Sequence, residues 1–154
     1  LQPLHTAQPK DATITLNLGL ALWKRGKSRE GERLLLELAA PTTTGAGAAK
    51  PSPLPEAAVW LAWQYLQDRR LPETEKWLQT AATLVKTPVD RLFFYDVQTQ
   101  WFFEKKDLKS AAGTLRKAIP LARNDEERQS LRHSLDETLK QLKKTPPLSP
   151  KTAK

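Results

Sequence analysis

The stretch Ile14-Thr15-Leu16-Asn17-Leu18-Gly19-Leu20-Ala21-Leu22 decides the fold. Its apolar residues alternate, which is a strand pattern. The same residues also fit helical spacing. Ile14, Leu18 and Leu22 form one row, and Leu16, Leu20 and Trp23 form another. Leu and Ala favour helix. The chain holds no second strand candidate, and a lone strand leaves its N–H and C=O groups unpaired. The stretch is therefore expected to be a helix, and the chain all-α.

Working outward, Gly26 ends this helix and Asp11 caps its start near Ala12. Ser28 opens a second helix that closes at Ala40 before Pro41. Residues 41–55 (PTTTGAGAAKPSPLP) read as a long loop insertion. Pro55 and Glu56 suit the first turn of a third helix, which reaches Arg69. The fourth runs from Leu71 to Val85, and the fifth from Pro88 to Phe103. The sixth starts at Asp107 and is bent or ended by Pro120. Asn124 or Asp125 caps a last helix, with Glu126 and Glu127 in its first turn and Lys143 and Lys144 in its last. Its apolar residues Leu131, Leu135, Leu139 and Leu142 form one narrow stripe. Residues 1–11 are expected to be a flexible arm, residues 12–144 a helical repeat domain, and residues 145–154 a disordered Pro-rich tail.

Composition sets the outer limits. At 154 residues the chain fits one domain with a substantial core. Zero Cys excludes disulfides and thiolate metal sites. No apolar run approaches the ~20 residues that cross a bilayer. The chain starts without Met, contains none, and shows no signal peptide, so it reads as a processed protein or an excised fragment. Cytoplasmic and exported locations both fit. The net charge of +8 raises nucleic acid or an acidic surface as a partner. The excess is spread along the chain, however, and residues 55–91 carry five charges of each sign. A solvated surface is the expected meaning, with a basic module touching nucleic acid or an acidic surface as the alternative.

Three helix pairs share one pattern. Gly19, Ala62 and Thr99 occupy one small-residue slot, 43 and then 37 residues apart. Three positions on stand Leu22, Tyr65 and Phe102. In the following helix, Gly31, Thr74 and Ala111 take a second small slot, followed by Leu35, Leu78 and Leu115, then Leu38, Ala81 and Ala118. A small residue lets two helices approach, and the large one fills the space beside them. Over residues 12–121 this resembles the tetratricopeptide repeat family, whose period is ~34 residues. Another helical repeat and an unrelated helical bundle are the alternatives.

The resemblance implies an α-α superhelix of about three helix hairpins plus a C-terminal capping helix. It also implies that the first helix of each pair lines a concave peptide-binding groove. Here that groove would hold Leu16, Leu20, Trp23, Val59, Trp60, Trp63, Phe93, Asp96, Val97 and Gln100. One subclass of the family grips a C-terminal carboxylate with Lys, Asn and Arg. The matching positions here are Leu16, Leu20, Trp60, Phe93 and Val97, so that clamp is not expected. An apolar, aromatic groove instead suits a hydrophobic or amphipathic peptide. The expected function is a non-catalytic adaptor or scaffold. A homo-oligomer, or an oligomerisation domain of a larger protein, would bury the same stripe.

Catalytic signals are weak. The two His residues are His5 and His133. His133 and Glu137 are spaced as a surface pair and lack the other half of a zinc motif. Gly45-Ala46-Gly47 follows no strand, so it is not a phosphate cradle. Neither a cofactor nor a metal is expected.

Overall fold

The computed structural model describes residues 9–40 and 53–144. Seven α-helices occur there, and no strand is present among the described residues. They are α1 (Pro9–Lys24), α2 (Ser28–Ala39), α3 (Pro55–Gln67), α4 (Leu71–Leu84), α5 (Pro88–Glu104), α6 (Leu108–Ala118) and α7 (Asp125–Lys144). The protein is all-α, with its helices packed in pairs, α1 on α2, α3 on α4 and α5 on α6. The Ile14–Leu22 stretch lies inside α1. The expected loop insertion falls largely outside the described residues, as do most of the N-terminal arm and the C-terminal tail. One boundary is corrected. The first helix begins at Pro9 rather than near Ala12, so Asp11 lies inside its first turn. Proline is well tolerated there, because the N–H that it lacks would have no helical partner.

The chain forms two compact units, Leu1–Lys86 and Thr87–Lys154. In the first, α2 also packs on α3. In the second, α7 packs on α6.

The same turn closes all three pairs. Gly26, Arg69 and Lys106 have φ of 91°, 63° and 61°. Each stands seven residues after the small residue of its first helix, at Gly19, Ala62 and Thr99. In the first turn the Lys27 N–H donates to the Leu22 carbonyl at 2.9 Å, and the Gly26 N–H donates to Trp23 at 3.1 Å. In the second, Arg70 donates to Tyr65 at 2.8 Å and Arg69 to Leu66 at 3.0 Å. In the third, Asp107 donates to Phe102 at 2.9 Å and Lys106 to Phe103 at 3.0 Å. This six-to-one plus five-to-two arrangement is the Schellman motif, which satisfies the last carbonyls of a helix. The large residues Leu22, Tyr65 and Phe102 are thus also the acceptors that fix each turn.

Packing follows the slots. Gly19, Ala62, Thr99, Gly31, Thr74 and Ala111 are all buried. So are Leu35, Leu78 and Leu115, each contributing roughly 2 kcal/mol by leaving water. The two threonines occupy small slots without orphaning a hydroxyl. Thr74 Oγ1 donates to the Arg70 carbonyl at 2.9 Å, and Thr99 Oγ1 to the Tyr95 carbonyl at 2.7 Å. Beyond α6, Pro120 sits in a 3-10 turn over Ile119–Leu121. Asn124 caps α7, its Oδ1 accepting from the Glu127 N–H at 2.7 Å. Thr138 is the buried residue of α7, and its leucine stripe is half-buried.

Candidate functional site

The ten expected groove residues fall into three classes. Leu16, Trp23, Val59 and Val97 are buried. They belong to the core, which corrects their place in the expected groove. The reason is that α1, α3 and α5 are apolar on more than one face, so their helical spacing fits core and groove alike. Leu20, Trp60, Trp63 and Phe93 are half-buried, and Asp96 and Gln100 are exposed. In the first unit the surviving candidates are Leu20 on α1 and Trp60 and Trp63 on α3. In the second they are Phe93, Asp96 and Gln100 on α5.

Trp23 has a structural task. Its indole Nε1–H donates to Asp68 Oδ2 at 3.1 Å. Its ring meets Tyr65 edge-on, with centroids 5.6 Å apart and planes at 79°. The Tyr65 hydroxyl donates to Glu32 on α2. The Arg70 guanidinium lies 4.7 Å from the centre of the Tyr65 ring, 3.8 Å from Glu32 and 3.0 Å from Glu73. These six side chains join the first hairpin to the second, and sequence reasoning missed them as a group. Burial and the neighbouring Glu32 carboxylate hold the Tyr65 hydroxyl well above its usual range. Through Trp23, Asp68 and Tyr65 this cluster ties the end of α1 to the end of α3.

Asp96 is set apart electrostatically. Desolvation, then repulsion from Glu127, raises its carboxyl. Glu127 itself is held low by Arg123, whose Nη2 and Nε lie 2.9 and 3.2 Å from its two oxygens. Among the described residues, no Lys or Arg pairs with Asp96.

His133 is exposed on α7. It borders an open recess of about 350 Å³, together with Phe103, Leu108, Ser134, Glu137, Thr138 and Gln141. Among the described residues, no group of three or more His, Cys, Asp or Glu side chains could hold a metal ion. No described helix is long and apolar enough to cross a membrane.

No family model, no curated protein and no solved structure matches this chain.

Proposed function

We propose that this protein is a non-catalytic interaction module of tetratricopeptide type that binds a hydrophobic or amphipathic protein segment. The observation carrying this reading is the threefold recurrence of one hairpin. The same small slots, the same large slots and the same left-handed turn residue return at Gly26, Arg69 and Lys106. Repeated hairpins of this kind build binding surfaces from the first helix of each pair. On those helices Leu20, Trp60 and Trp63 keep part of their apolar surface in water. Half-buried tryptophan on a rigid helix loses little freedom on binding, which is why it anchors interfaces.

The test is a selection. The intact protein, immobilised, is presented with a display library of helical and extended peptides. Recovered peptides should share apolar residues at a fixed spacing. Their affinity should fall at least about tenfold, or about 1.4 kcal/mol, for Trp63→Ala. Trp63 is half-buried, so circular dichroism should show the variant still helical. A selection that enriches no apolar pattern, or peptides that bind the folded variant equally, would remove this reading.

A further inference from the structure

One face of α5 carries an ordered stripe. Val89, Phe93, Asp96, Gln100 and Phe103 follow one another at spacings of four, three, four and three, which places them on a single helix face. Val89 is 57% exposed, a high value for a large apolar side chain. Phe93 and Phe103 are half-buried, and Asp96 and Gln100 are exposed. The stripe is thus apolar at both ends and anionic in the middle.

We propose that this stripe receives a protein segment presenting a Lys or Arg side chain to the Asp96 carboxylate, with apolar side chains on either side of that cation. This inference rests on the reading of the protein as an interaction module, and it names the chemistry of the partner.

Charge complementarity carries the argument. The chain holds 25 basic against 17 acidic side chains, yet this carboxylate has no ion pair among the described residues. The positions one turn away on its own helix are Leu92, Phe93, Thr99 and Gln100, none of them cationic. The acid that acts on it, Glu127 on α7, is already paired with Arg123. An exposed carboxylate with no cation of its own, set between apolar side chains on one helix face, attracts a Lys or Arg side chain that approaches along that face. An anionic partner would meet repulsion at the same point, so the stripe discriminates by sign. The elevated Asp96 carboxyl agrees with this. Gln100, one turn on, adds an amide that can accept from or donate to the partner's backbone.

The experiment uses two small probes with the same phenethyl body and head groups of opposite charge, phenethylammonium and 3-phenylpropionate, each added to the full chain. Backbone amides and the Asp96 side-chain carboxyl are followed by NMR. Phenethylammonium should shift the α5 stripe signals and lower the Asp96 titration midpoint. 3-Phenylpropionate should bind at least about tenfold more weakly. Asp96→Asn should erase that difference while leaving the helical content unchanged. Equal shifts from both probes, ammonium shifts that survive Asp96→Asn, or no shifts with either probe at about 10 mM would each overturn the proposal. The two readings fail separately. Success of the peptide selection with failure here removes the cation preference alone. Failure of the selection removes the interaction module itself.

Discussion

Gly19 and Gly31 meet backbone to backbone where α1 crosses α2. A Cβ on Gly19 would lie 3.2 Å from the Gly31 carbonyl oxygen. A Cβ on Gly31 would press on the Gly19 carbonyl and lie 2.8 Å from the Trp23 backbone nitrogen. Neither neighbour can swing away, because both are main chain. Gly31→Ala should therefore destabilise the protein by about 3 kcal/mol, despite alanine's better helix propensity. Gly113 on α6 has nothing within 4 Å of the equivalent point. Gly113→Ala should stabilise by roughly 0.5–1 kcal/mol. Urea unfolding of both variants, followed by circular dichroism, checks the opposite signs.

The left-handed turns make a second pair of opposite effects. Lys106 holds φ of 61° with a side chain that disfavours it. Lys106→Gly should gain about 1 kcal/mol. Gly26 holds φ of 91° with open space around it. Gly26→Ala should lose about 1 kcal/mol from backbone strain alone. Equal and same-signed shifts in thermal midpoint would contradict the shared turn.

The Tyr65 hydroxyl sits on Glu32, and its ionisation is pushed upward by burial and then by that carboxylate. The folded state therefore prefers the neutral phenol more strongly than the unfolded chain does. The resulting stability is complete below the ordinary tyrosine value of about 10 and is lost as pH rises beyond it. Tyr65→Phe should cost about 1–2 kcal/mol at pH 7 by removing the donor to Glu32. The variant should then lose less than the parent between neutral pH and pH about 11. Unfolding free energies across that range give the comparison.

Asp96 has the same sign in a lower pH window. Its folded carboxyl is raised, so the stability it contributes is present at acid pH and is lost as pH rises through the folded value. Asp96→Asn should be at least as stable as the parent at pH 7, and the difference should close as both unfolded and folded carboxyls become protonated. A variant clearly weaker at pH 7 would mean that Asp96 makes a favourable contact.

Much of the fold can be read before any coordinates, because helix pairs write their contacts into residue size. Gly19 and Gly31 are small where two backbones touch, and Leu35, Leu78 and Leu115 are large where space must be filled. Gly26 also signals its turn. Arg69 and Lys106 do not, because their long polar side chains carry no mark of positive φ. Only their spacing from Ala62 and Thr99 reveals them. The site was less legible. Trp23 and Trp63 look alike in sequence, yet one is core and the other half-exposed. The difference is made by Asp68 and Tyr65, more than 40 residues away from Trp23, which accept its N–H and cover its ring. The link from Tyr65 to Glu32 leaves no local trace either, since it spans 33 residues.

The account is tested most directly by mapping a peptide recovered from the selection onto the intact protein through its backbone amide signals. The predicted result is a set of shifts concentrated on the first helices of the pairs, at Leu20, Trp60 and Trp63, with the exposed faces of α2 and α4 unchanged. Shifts concentrated instead on Arg29, Arg33, Glu75 and Gln79 of those outer faces would contradict it.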